Sequence, residues 1–322
     1  GVSNLTGFKY RDGFLPNLSA FAYTGFGYFF SLYGLTQDWW LIAALLLAHV
    51  MVISAYMIHE CAHNNIFLLS ENNERLGILL SWVVGASYSS YESLRKKHFR
   101  HHLEGADILA VDFHAILQRH PLLNKAVSFL TWIYIPAVDL LLHGVVIIAP
   151  FVYPELKKHR RRILYVLLLR IAFFAWLAWL NPWALAGYAL AYCLFLLVLN
   201  FMDAFQHTYE VYYELWSDVQ QPRYDRDYEQ AHTFSNLLSS RFPALNLLVL
   251  NFCYHNAHHH KPVEPWHRLP ALHRSLYGEH CAQQVGFTEQ LKRFHRYRLE
   301  RLAGKYADAL AGADGVSFIV GL

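Results

Sequence analysis

The stretch WWLIAALLLAHVMVISAYMIHECAH, residues 39–63, decides the fold. Residues 39–58 contain no Asp, Glu, Lys or Arg and a single histidine, His49, and supply the roughly 20 apolar residues that cross a bilayer. HECAH (59–63) follows without a break, so a cluster of polar, metal-capable side chains stands at the end of an apolar rod. Three further blocks repeat the composition: LSAFAYTGFGYFFSLYGL (18–35), ILYVLLLRIAFFAWLAWL (163–180) and WALAGYALAYCLFLLVLNFM (183–202). Arg170 is the one charge inside them. It lies about two turns from its helix end, close enough to snorkel to the surface. The chain has 322 residues, 55% hydrophobic and 16% charged. A soluble domain would space its apolar residues with helical amphipathicity, whereas here they come in blocks. The sequence reads as an integral membrane protein.

Four spans are expected, at about 18–36, 39–60, 163–180 and 183–205, paired into two hairpins. The turns TQD (36–38) and NP (181–182) lack Lys and Arg, while RKKHFRHH (95–102) and KKHRRR (157–162) lie at the opposite ends. The positive-inside rule then places the basic ends and both termini in the cytoplasm. The first block has no basic lead and no small-residue cleavage site, so it does not read as a signal peptide. LGILLSWVVGASYSSY (76–91) is short and turns polar, as an interfacial helix does. Residues 127–153 are long enough to span but contain Pro136, Asp139 and His143. A crossing there would divide the histidine motifs between two faces, so a re-entrant or interfacial helix is expected. FPALNLLVLNFCY (242–254) is too short to cross, and 312–322 reads as a loose tail. The expectation is one all-α membrane domain over 1–322, with a cytoplasmic helical cap at 61–126 and 206–311. Its four cysteines are scattered without a CxxC pair, which argues against a disulfide framework, a zinc ribbon or an iron–sulfur centre. A net charge of +3 gives no reason to expect a nucleic-acid partner.

HECAH fits HExxH, the zinc-binding helix of metalloproteases with its glutamate as base. It equally opens a larger set. His59 and His63 are spaced i, i+4; His98, His101 and His102 form HFRHH; His255, His258 and His259 form HNAHH. His207 ends the fourth span, with Asp203 one turn before it. Residues at these spacings share a helix face, and the topology brings all of them to one membrane face. Any one histidine is ordinarily a surface or hydrogen-bonded core residue, and His49, His114, His120, His143, His159, His273, His280 and His295 are read that way. Two HxxHH motifs, an HxxxH and a span-end histidine at one depth are not accounted for by chance. Nine imidazoles exceed what one zinc uses and suit two metal ions. Iron is the preferred metal, since oxygen activation needs a redox ion in a nitrogen-rich, open site. Glu60 is then expected to hydrogen-bond a ligand N–H rather than to act as a base.

HECAHNNIF (59–67), HFRHH (98–102) and HNAHH (255–259) resemble the three histidine boxes of the membrane fatty acid desaturase and hydroxylase superfamily. HTFSN (232–236) and HHHKPVEPWHRLPAL (258–272) resemble the bacterial acyl desaturase pattern. The resemblance implies that His59, His63, His98, His101, His102, His207, His255, His258 and His259 ligate two irons. Asp203 departs from the asparagine of the acyl-CoA branch, and could ligate directly or through water. Asp107 and Asn251 are candidates to support the ligands; His260 is not counted as one.

The implied reaction is O2-dependent attack on an unactivated C–H bond of a lipid, giving a double bond in a desaturase. A hydroxylase or ketolase acting on a fatty acid, alkane, sphingoid or carotenoid is the alternative, and an HExxH intramembrane protease or a metal transporter a remote one. No haem-binding HPGG segment or ferredoxin cysteine cluster is present, so electrons are expected from a separate ferredoxin or cytochrome b5 with its reductase. Arg95, Lys96, Lys97, Lys157, Lys158, Arg160, Arg161 and Arg162 offer a face for an acidic donor, acyl-CoA or acyl-carrier protein, or for lipid head groups. Zinc binds such sites more tightly than Fe(II) and is an expected artefact of overproduction.

Overall fold

The computed structural model describes residues 7–209, 212–215 and 225–303; the loose tail read at 312–322 lies outside them. In chain order the elements are α1 (Phe14–Leu35), α2 (Trp40–Ala62), α3 (Ser70–Val83), α4 (Tyr91–Glu104), β1 (Asp107–Leu109), α5 (Phe113–Arg119), α6 (Pro121–Trp132) and α7 (Ala137–Val152). Then come α8 (Arg160–Leu180), α9 (Trp183–Asp203), β2 (Tyr212–Glu214), α10 (Arg226–Ala231), α11 (His255–His260), α12 (Leu269–Tyr277) and α13 (Phe287–Leu302). The two short strands pair in parallel, Asp107 opposite Tyr212.

Three stretches are long and apolar enough to cross a membrane: Trp40–Ala62, Pro154–Leu180 and Trp183–Asp203, with mean hydropathies of 2.4, 2.2 and 2.0. Expected as a fourth span, α1 has the length, 22 residues, but Asn17, Thr24 and its three tyrosines dilute its apolarity. Apolar all round, α2 is buried almost all round, packed between α1, α3 and α9. By contrast α8 turns Leu164, Leu168, Ile171 and Trp179 outward, and α1 does the same with Phe26, Phe29 and Phe30. Buried α2 and outward-facing α8 and α1 are what a bundle in lipid requires.

The block 127–153 is two helices. They part at Ile133–Pro136, where Pro136 caps α7 and Tyr134 takes a positive φ of 66°. The stretch 76–91 holds the end of α3, a turn through Gly85 (φ 77°), and the start of α4. Gly77 is where α3 meets that start. A Cβ there would stand 2.2 Å from the Tyr91 ring. Ser90 opens α4 by accepting from Ser93 N, and Gly105 closes it in the left-handed region.

Arg170 does not snorkel. Its side chain is buried, donating to Trp82 O at 2.9 Å and Ser87 Oγ at 3.0 Å, with the guanidinium over the Trp82 ring. Arg162 on the same helix donates to the Ser87, Tyr88 and Ser89 carbonyls. Two arginines of α8 therefore hold the loop that launches α4. A buried guanidinium satisfied by carbonyls costs less than one left in hydrocarbon.

Candidate metal centre

Four pieces of chain deliver the nine predicted histidines to one place: the C-terminal end of α2, α4, the turn after α9, and α11. They arrive as two groups. His59, His63, His98, His102 and His258 form one; His101, His207, His255 and His259 form the other. Within each, the candidate ligand atoms lie within 4.8 Å of one another. The spacing explains the division. On a helix the i, i+4 pair stays on one side and the i+3 residue falls about 100° away from its i+4 neighbour. So His98 and His102 enter the first group while His101 enters the second, and His255 and His259 enter the second while His258 enters the first. Each HxxHH box straddles both groups.

The ring nitrogens show what the groups are built to hold. Nε2 of His101 lies 2.9 Å from Nε2 of His207, which lies 2.8 Å from Nε2 of His255. Nε2 of His98 lies 2.7 Å from that of His63 and 3.0 Å from that of His102. Several outer nitrogens are committed. His101 Nδ1 donates to Ala106 O at 2.9 Å, and His259 Nδ1 to Glu229 Oε1 at 2.6 Å. Thr233 Oγ1 gives its proton to Glu229 O, leaving its oxygen to accept from His207 Nδ1 at 3.3 Å. With Nδ1 protonated, Nε2 carries a lone pair, a tautomer assigned from this network. Lone pairs under 3 Å apart repel unless a cation lies between them. The donor set of the second group therefore fits a metal ion, and the first group brings its ring nitrogens together at the same spacing.

Burial, reinforced by neighbouring imidazoles, pushes His63, His98, His207, His255, His258 and His259 well below the ordinary histidine range. His101 is lowered to about 3, again mainly by burial. Neutral imidazole is the metal-binding form. A cleft of about 660 Å³, including its mouth, opens onto both groups. Tyr56, Phe252 and Ile108 give it an apolar side; Lys97, Asp107, Asp203 and Gln206 give it a polar one.

The match to known families agrees with this geometry. The family model described as Fatty acid desaturase matches residues 38–288. The chain belongs to the fatty acid desaturase family. A search of curated proteins finds no significant match.

Within this desaturase-family site, the supporting residues differ from expectation. Asp203 stands outside both groups and lines the cleft, as does Asp107. Glu60 bonds no ligand histidine. Its Oε2 accepts from Trp266 N at 3.1 Å and its Oε1 from Asn65 Nδ2 at 3.5 Å. Asn251 donates to Trp266 O at 3.2 Å, and Trp266 Nε1 donates to Asn17 Oδ1 at 3.0 Å. Glu60 and Asn251 thus act on Trp266, latching the segment after the third box to α1 and α2. Lys97, read as part of a docking face, is only 5% exposed and faces the cleft.

Sequence reasoning missed Glu229 and Thr233. HTFSN was noted only as a pattern, yet Thr233, Ser235 and Asn236 are all fully buried behind the boxes. Ser235 Oγ bonds Asn256 Oδ1 at 2.8 Å, and Asn236 Nδ2 donates to Met202 O at 2.7 Å. The available signal was a polar run adjoining a histidine motif. Glu229 gave none, since one acid among several in RYDRDYEQ carries no spacing.

Proposed function

We propose that the chain is an O2-dependent diiron lipid desaturase, with the nine histidines as its ligands and a fatty acyl chain as its substrate. The observation that carries this is the division of nine imidazoles, seven of them buried, into two adjacent groups facing one partly apolar cleft. Iron held by these groups would supply oxygen activation for attack on an unactivated C–H bond. The protein's residues do the rest. Phe252, Tyr56 and Ile108 offer the surface on which a chain can lie beside the histidines, and burial of the rings keeps bulk water from the reacting carbon. Asp203, which lines the cleft one turn before His207, would hold a water or a proton beside the histidines. The HExxH protease reading has no support here, because Glu60 is occupied by Trp266 and Asn65.

The proposal extends to topology and partners. The histidine face and both termini are cytoplasmic, and a separate ferredoxin or cytochrome b5 with reductase delivers the electrons. Lys157, Lys158 and Arg161 are exposed and offer the basic contact for such an acidic partner. Lipid head groups at the same place use the same charges.

The test combines metal content with product. Protein loaded anaerobically with Fe(II) is expected to hold two irons per chain, and expressing cells to contain a lipid about two mass units lighter than its precursor. A gain of about sixteen mass units would instead make it a hydroxylase. One zinc per chain, with iron-loaded protein inactive on lipid, would overturn the oxygenase reading.

A further inference from the structure

Glu229, in α10, is a carboxylate that faces two of the nine histidines. Glu229 is largely buried, its side chain 13% exposed. Among the described residues no Lys or Arg lies within ion-pair range of it; its partners at that range are His259 and His102. The same oxygen, Oε1, is 2.6 Å from His259 Nδ1 and 3.8 Å from His102 Nδ1. His259 is buried, and its Nδ1 donates to this oxygen. A largely buried carboxylate with no Lys or Arg beside it is costly unless another cation stands nearby. The two rings it faces belong to different groups, His102 to the first and His259 to the second.

Resting on the two-metal reading above, we propose that Glu229 is a positioning residue shared by both metal sites, with its stronger hold on the second. Its hydrogen bond fixes His259 with Nδ1–H outward and the Nε2 lone pair inward, and its charge is neutralised by the ions the rings bind. Asymmetry follows from the distances. The contact to His259 is a hydrogen bond, while the one to His102 at 3.8 Å is electrostatic only. The second group also has one histidine fewer, so it depends more on each ring. The local fold is made for this placement. Asp225 caps α10 by accepting from Tyr228 N at 2.8 Å, and Arg226 donates to the His260 carbonyl, pinning α10 against α11.

The test is a zinc titration of metal-free protein in detergent, using a competing chromophoric chelator, on wild type, E229A and E229Q. Wild type is expected to bind two ions. In E229A the weaker step falls by about 100-fold and the stronger by less than about threefold; E229Q, which keeps an acceptor but no charge, loses about tenfold in the weaker step. The melting temperature of each metal-free variant checks that it folds, and E229Q decides should E229A fail that check. Unchanged affinity at both steps in either folded variant overturns the proposal. So does an equal fall in both steps, which a general structural role would give. Wild type binding fewer than two ions would instead defeat the two-metal reading, whatever Glu229 does.

Discussion

At the scale of single residues, the site separates the histidines proposed to bind from the side chains that hold the chain around them. His258 is buried in the first group, its Nε2 3.2 Å from that of His102. His258→Ala is expected to lower iron per chain and to abolish lipid product, measured by metal analysis and mass spectrometry. Glu60→Ala should do the opposite: metal content stays, while loss of the acceptor for Trp266 N costs about 1–3 kcal/mol of stability, read by thermal unfolding. Metal loss in Glu60→Ala would show that Glu60 reaches the ions. A pH dependence follows from the histidines. Their folded pKa values are depressed, so the unfolded chain binds more protons than the folded one below the ordinary value of about 6.5. Stability from these rings is complete above that pH and is lost as pH falls; for His101 the loss continues down to about 3. Metal-free protein should therefore melt progressively lower from pH 7 to pH 5, and bound metal, which also needs neutral rings, should raise the melting point while leaving the drop at least as steep. A flat profile would refute the neutral-ring description.

At the scale of elements, the recurring device is a polar clamp that fixes where a ligand-bearing helix begins. The loop before α4 is held by Arg162 and Arg170, and α11 is followed by the Trp266 latch. The α3–α4 approach at Gly77 has no room for a side chain. Gly77→Ala is expected to shift Tyr91 and destabilise by about 1–3 kcal/mol, seen as a lower melting point with reduced metal retention. Wild-type melting would mean the ring moves aside freely. These contacts show where sequence legibility ends. Box spacing is local and periodic, so HFRHH and HNAHH gave the converging histidines directly. Arg170 was misread because its partners, Trp82 and Ser87, lie more than 80 residues earlier in the chain and on a turn. Glu60 and Asn251 were placed beside the ligands by proximity in sequence. Their hydrogen bonds run instead to Trp266, 206 and 15 residues away.

At the scale of the whole molecule, apolar blocks announced the helices, and the pairing of α1 with α2 and α8 with α9 followed from short turns. What block composition alone does not fix is how many of these helices cross. The proposed arrangement has four crossings, with Asp38 on one side of the membrane and Lys158 on the other. Single cysteines placed at those two positions should react with an impermeant thiol reagent from opposite faces of sealed vesicles. Labelling from the same face would require α2 or the 127–153 segment to be reassigned.

The division of ligands between the two groups also sets an order in time. Four of the five donors of the first group, His59, His63, His98 and His102, lie within the first 102 residues; three of the four of the second lie at 207 or beyond. As the chain leaves the ribosome, the first group lacks only His258 long before the second has more than His101. A growing chain can thus offer a four-histidine metal trap before its last two long apolar helices exist. If the groups hold metal as proposed, the ion most available at that moment would have the first chance to enter, and cellular metal supply during synthesis would shape what the site acquires.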